Sequence, residues 1–184
     1  MTGYIHIYCG DGKGKTTSSV GLAIRAIGNQ IPVIFVQFMK NDSSGEINIL
    51  KNLPNTTIMH SEKHFGFYNT LSEEDKKEAK QFNRKLLEEA INISMDIAKA
   101  NNKEDRKIGG LLILDEGIGT YNYNLLDKSL LIDFLKNKPD NLEVVLTGRN
   151  PVDELIKLAD YVSEITLVKH PFEKGIGGRL GIEK

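Results

Sequence analysis

Three glycines, two lysines and two threonines crowd into Tyr8-Cys9-Gly10-Asp11-Gly12-Lys13-Gly14-Lys15-Thr16-Thr17. Small residues let a backbone curl until several N–H groups converge on one point, and converging amides bind phosphate oxygens. The apolar alternation before the segment reads as a strand and the pattern after it as a helix. Any bound anion would therefore lie at the positive end of that helix. These are the features of a Walker A phosphate loop, with Lys15 bridging terminal phosphates and the Thr16 hydroxyl coordinating magnesium. The spacing departs from the common pattern, because Cys9 stands where its first glycine belongs and Gly10 comes one residue late. A plain glycine- and lysine-rich surface turn is the competing explanation.

A second acidic site lies at Leu111-Leu112-Ile113-Leu114-Asp115-Glu116, an apolar run ending in two carboxylates. That is the Walker B form. In a parallel sheet the strands deliver their ends to one rim, so the pair can meet the phosphate loop. One carboxylate would hold magnesium directly or through water while the other orients ligands. Two solvated acids at the start of a loop are the alternative. Cys9 reads as a small buried residue at a strand end rather than a nucleophile.

Apolar runs alternate with helical patterns along the chain. Strands are expected at Tyr4 to Tyr8, Pro32 to Phe38, Thr56 to Met59, Leu111 to Leu114, Leu142 to Leu146 and Ser163 to Val168. Continuous apolar runs such as Val33-Ile34-Phe35-Val36 fit burial on both faces. The first helix is expected over Thr16 to Gly28 with a stripe of Val20, Ala23, Ile24 and Ile27. The longest should run from Ser72 to Ala100, with Ser72 and Asp75 as a capping box. Others are expected near Lys128 to Lys136 and after Asn150-Pro151, with Asn150 as the cap. This order predicts an α/β, P-loop NTPase-like fold: a mostly parallel sheet with helices on both faces, in one domain over 1–184.

The 184 residues carry 24 Lys and Arg against 25 Asp and Glu, a balance that argues against general affinity for nucleic acid or anionic membrane. A single cysteine excludes an internal disulfide and a thiolate cluster. No apolar run approaches membrane-spanning length, and the first strand begins too early for a signal peptide, so a cytoplasmic location is expected.

Four stretches together resemble the ATP:corrinoid adenosyltransferases of the P-loop type. Gly10 to Thr17 matches that family's G-N-G-K-G-K-T-T with the same shortened spacing. Val36-Gln37-Phe38-Met39-Lys40 is similar to its V-Q-F-x-K, and Leu114-Asp115-Glu116 to its L-D-E. The last comprises Asn141 to Asn150, Leu158-Ala159-Asp160, Val168 to Phe172, Gly175-Ile176 and Gly181-Ile182-Glu183.

The resemblance implies transfer of the 5′-deoxyadenosyl group of ATP to the Co(I) centre of a reduced corrinoid, with triphosphate leaving. It implies magnesium as cofactor, held by Thr16 and Glu116. Gly10, Asp11, Gly12, Lys13, Gly14, Lys15, Thr16 and Thr17 would line the triphosphate, with Lys15 and Glu116 closest to the chemistry. Arg25 and Arg149 are candidates for further polyphosphate contact, each with a solvated surface arginine as its alternative. Phe65 and Phe67, in His64-Phe65-Gly66-Phe67-Tyr68, would be the aromatic pair laid against the corrin; aromatics pinning a loop to the core are the alternative. His60, His64 and His170 read as hydrogen-bonding residues rather than cobalt ligands. A homodimer and a flavoprotein electron donor are expected of the family. Gly177-Gly178-Arg179 and Lys184 depart from its usual tail, and the first strand is expected at the very start of this sequence, where some relatives carry an N-terminal extension. Two rival functions are open on the sequence: a small-molecule kinase using Glu116 as base, and a non-enzymatic nucleotide switch.

Overall fold

The computed structural model describes residues 1–39, 44–61, 68–102 and 108–183. Six strands form one parallel sheet: β1 (Ile5–Cys9), β2 (Val33–Gln37), β3 (Thr56–His60), β4 (Gly110–Asp115), β5 (Leu142–Thr147) and β6 (Tyr161–Glu164), in the order β3-β2-β4-β5-β1-β6. The helices are α1 (Lys15–Gly28), α2 (Gly45–Leu50), α3 (Glu73–Ala100), α4 (Gly117–Asn122), α5 (Lys128–Asn137) and α6 (Asp153–Leu158). The α/β class and the parallel sheet agree with the sequence reading. Among the described residues, no helix is long and apolar enough to cross a membrane.

Two cores explain the unbroken apolar runs. On β2, Ile34 and Val36 enter one core while Val33 and Phe35 enter the other; on β4, Leu112 and Leu114 divide from Leu111 and Ile113 in the same way. Successive side chains point to opposite faces of a strand, so a strand covered on both sides must be apolar throughout. Helix α3 covers one face with Leu86, Leu87 and Ala90, and α1 and α2 cover the other with Ala23, Ala26, Ile47 and Leu50. Complete burial of one such leucine or phenylalanine side chain stabilises the fold by about 1.5–3 kcal/mol.

The capping box at α3 forms as read. The Asp75 N–H donates to the Ser72 hydroxyl at 3.1 Å, and the Ser72 N–H donates to the Asp75 carboxylate at 3.3 Å. Three local expectations are corrected. Ile24 is not part of the α1 stripe but 46% exposed, and the buried face is Ser19, Ala23 and Ala26. Small side chains there let the helix lie close on the sheet.

The last strand begins two residues earlier than expected and ends at Glu164, which pairs with Cys9. Past Cys9 the first strand turns into the phosphate loop and no straight partner remains. Asn150 is not a helix cap: it is left-handed at φ 51, and α6 starts only at Asp153. The Asn122 amide donates to the carbonyls of Arg149 and Asn150 at 3.2 and 2.9 Å, so a tertiary contact sets that turn.

Candidate functional site

The phosphate loop leaves β1 at Cys9 and enters α1 at Lys15. Gly10 turns the chain at φ 101, a left-handed conformation that favours glycine. The segment after β6 packs directly onto it. The Ile165 N–H donates to the Cys9 carbonyl at 2.8 Å, and the Gly12 N–H donates to the Ile165 carbonyl at 2.7 Å. A Cβ on Gly10 or Gly12 would fall 2.5 or 2.6 Å from that same carbonyl oxygen. Glycine is required at both positions because another backbone passes through the space. The shortened loop is thus braced by the C-terminal segment, and Cys9 beneath it is buried as expected.

Lys15 curls back on its own loop, its ammonium donating to the Gly12 carbonyl at 2.8 Å. Burial and the nearby Arg149 guanidinium push its pKa below the ordinary lysine value, while Glu116 and Asp11 pull the other way. Asp11, Lys13 and Thr17 are exposed, and Gly14, Lys15 and Thr16 are half-buried.

The acid pair arrives from β4, two strands away, with β5 between. Its members differ. Asp115 is fully buried, and its Oδ1 accepts from the Thr16 hydroxyl at 2.8 Å and from the Thr147 hydroxyl at 2.7 Å. Gln37 adds its amide to Oδ2 at 3.3 Å. Glu116 is half-exposed and left-handed at φ 59, with its N–H donating to the Thr147 hydroxyl at 3.0 Å. Left-handed backbone at a non-glycine costs about 1–3 kcal/mol and persists where surrounding contacts impose it. Here those contacts are Thr147 and the first turn of α4, where the Glu116 carbonyl accepts from the Thr120 hydroxyl at 2.8 Å.

Arg149 follows β5, exposed, with its Nε 3.6 Å from the Asp11 carboxylate, which places it over the loop. Arg25 is not brought there. It lies exposed in the last turn of α1, ten residues beyond Lys15, or about 15 Å along the axis at 1.5 Å per residue. Phe65, Phe67, His64 and Lys40 lie outside the described residues. Tyr68 stacks on Tyr123, just past the C-terminus of α4, with ring centroids 4.2 Å apart. His60 Nδ1 lies 3.2 Å from the Ser61 carbonyl, and His170 Nδ1 accepts from the Phe172 N–H at 3.1 Å. Both fit hydrogen-bonding roles.

Sequence reasoning missed Thr147, Ile165 and Asn122 as parts of this region. Thr147 left one signal, a hydroxyl ending an apolar strand. Ile165 left none, since its backbone makes both contacts.

Chemically, amides at a helix start, a lysine and an arginine face a hydroxyl–carboxylate cluster across one rim. That arrangement suits a polyphosphate with a divalent cation. A model of the family described as ATP:corrinoid adenosyltransferase BtuR/CobO/CobP matches residues 1–183. A corrinoid adenosyltransferase from Sinorhizobium sp is 34% identical over 98% of this chain and 80% of its own length. The corrinoid adenosyltransferase of Escherichia coli K12 is 30% identical, over 98% of this chain and 85% of its own. Among solved structures, EssC (ATPases 2 and 3) from Geobacillus thermodenitrificans aligns with a TM-score of 0.53 at 16% identity, over 97% of this chain and 35% of that one. That likeness is one of fold. With the family match spanning nearly every residue, this chain belongs to the ATP:corrinoid adenosyltransferases.

Proposed function

We propose that this chain, as a single domain over 1–184, transfers the 5′-deoxyadenosyl group of ATP to the Co(I) centre of a reduced corrinoid. In that reaction the cobalt electron pair forms the Co–C bond at the 5′ carbon. The C5′–O bond breaks, and triphosphate departs with its electrons. Reduced cobalt is itself a strong nucleophile, so the protein needs no nucleophile or general base of its own. Its work is to hold the two substrates in line and to stabilise charge on the leaving group.

The observation that carries this reading is the bond from Thr16 to Asp115, which seats the end of the phosphate loop beside the acid pair. The loop from Gly10 to Thr17 grips triphosphate with its N–H groups. Lys15 leaves the Gly12 carbonyl to meet the phosphates, and Arg149 closes over them from above Asp11. The residues also fit magnesium. The Thr16 proton is directed to Asp115, which orients the hydroxyl oxygen as a ligand, and the Lys15 ammonium is near enough to feel the Glu116 carboxylate. Thr16 and Glu116 would hold the ion, with substrate phosphates completing its shell, as magnesium sites commonly do. When bound, the ion would supply charge neutralisation on the leaving triphosphate. Arg25, at the far end of α1, is assigned no phosphate contact.

Phe65 and Phe67 would lie against the corrin, as the family resemblance implies. A cytoplasmic homodimer supplied with electrons by a flavoprotein fits the family.

The test is incubation of the protein with ATP, magnesium and chemically generated cob(I)alamin. A light-sensitive cobalt–carbon product and free triphosphate in equal amounts are expected. Orthophosphate release without a cobalt–carbon bond would overturn the proposal.

A further inference from the structure

We propose that Thr147 is the positioning residue that holds the metal-binding groups in register, an inference that rests on the assignment of Thr16 and Glu116 above. Thr147 ends β5, the strand that separates the acid-bearing β4 from the loop-bearing β1. It is fully buried. A hydroxyl offers one proton and two lone pairs, and this one serves both acids. Its proton goes to Asp115 Oδ1 at 2.7 Å, and its oxygen accepts the Glu116 N–H at 3.0 Å.

The same Asp115 oxygen takes the Thr16 hydroxyl at 2.8 Å. Thr16, Asp115, Thr147 and the Glu116 backbone therefore form one unbroken chain from α1 to the start of α4. The left-handed backbone of Glu116 needs such an anchor, because its N–H donor would otherwise lose its partner. Thr147 thereby ties the Glu116 backbone to the same carboxylate oxygen that takes the Thr16 hydroxyl. The Asp115 carboxylate also sets the direction of the Thr16 proton. Partners that orient metal ligands commonly alter metal affinity by about 10–100-fold when removed.

The experiment compares the parent chain with Thr147→Val, which keeps the shape and loses the hydroxyl, and with Thr147→Ser, which keeps the hydroxyl. Mn2+ binding in the presence of ATP is followed by electron paramagnetic resonance, and binding of metal-free ATP by calorimetry. Thr147→Val should weaken Mn2+ in the ATP complex by about 10–100-fold, with metal-free ATP binding held at the parent level. Thr147→Ser should return metal affinity to the parent level, and adenosyl transfer should follow the metal affinity in all three.

Parental Mn2+ affinity in Thr147→Val, or a loss in Thr147→Ser as large as in Thr147→Val, overturns the proposal. Thr147→Ala is the second hydroxyl-free variant. If neither it nor Thr147→Val folds while Thr147→Ser does, the hydroxyl acts in folding and the proposal is again overturned. A different result sinks the underlying assignment: a parent chain that adds nothing to the Mn2+ affinity of ATP alone.

Discussion

The Thr16 hydroxyl and the Asp115 carboxylate, 99 residues apart in the chain, meet at 2.8 Å. The bond joins the helix behind the phosphate loop to the strand that carries the acid pair. Asp115 is fully buried, so its charge depends on such donors for solvation. Asp115→Asn keeps an acceptor oxygen for the two hydroxyls but removes the buried negative charge and sets amide protons against the Gln37 amide donor, in nearly the same shape. Its kcat/KM for Mg·ATP should fall by about 10–100-fold at limiting magnesium and recover in part at excess magnesium. A magnesium titration of transfer rate checks this, and an unchanged magnesium dependence would refute it.

Lys15 is half-buried beside the loop, with its pKa lowered by that burial and by Arg149. A lowered pKa means the ligand-free fold gains no stability from the ammonium's charge, so removing it costs little. Lys15→Ala should keep the ligand-free Tm within about 2 °C of the parent while transfer is abolished. The sign with pH follows from the same shift. The proposed grip on triphosphate uses the ammonium, whose charge is lost as pH rises through a value below that of an ordinary lysine. Affinity for triphosphate should therefore weaken with rising pH before pH reaches about 10.4, the value for an exposed lysine. Calorimetric titrations across that range decide it.

Gly12 has no room for a side chain, since an added Cβ would lie 2.6 Å from the Ile165 carbonyl oxygen and 2.8 Å from that of Thr166. Both obstacles are backbone, so one chain must move. Gly12→Ala should lose about 1–3 kcal/mol of stability and should separate the segment after β6 from the loop. Limited trypsin digestion would then cut faster at Lys169 and Lys174, and ATP would not restore the parental rate. Parental digestion kinetics would show that Ile165 does not brace the loop.

Tyr121 on α4 donates to the Glu154 carboxylate on α6 at 2.8 Å, and burial together with that bond raises its pKa to about 12. A group with a raised folded pKa contributes stability that is complete below its unfolded value. For Tyr121 that contribution is lost as pH climbs from about 10 through about 12. Tyr121→Phe should cost about 1 kcal/mol at neutral pH and flatten the alkaline limb of the stability profile. Denaturant melts at pH 7 and in the alkaline range are the measurement.

Several parts of this protein were legible because their causes are local. The glycine-rich loop declares itself by composition and by its place between a strand and a helix. Ser72 and Asp75 cap α3 through bonds spanning three residues, so both partners are visible together. The double-sided burial of β2 and β4 shows in their unbroken apolar runs. The differences arose where a distant segment took control. Ile24 turned outward because α1 lies on its small residues, Asn150 was taken from its capping role by Asn122, and the last strand was set by pairing with β1.

By itself the sequence determined the glycine-rich loop between strand and helix, the pair of acids ending an apolar strand, the parallel α/β class and, through the spread of matching stretches, the family. Each depends on residue types at short separation. Tertiary structure alone decided how those parts meet. It made Asp115 the buried anchor and left Glu116 half-exposed, put Thr147 between them and laid Ile165 across the loop. The physical reason is that a bond's partners are chosen by strand order and register, which no short window of sequence contains.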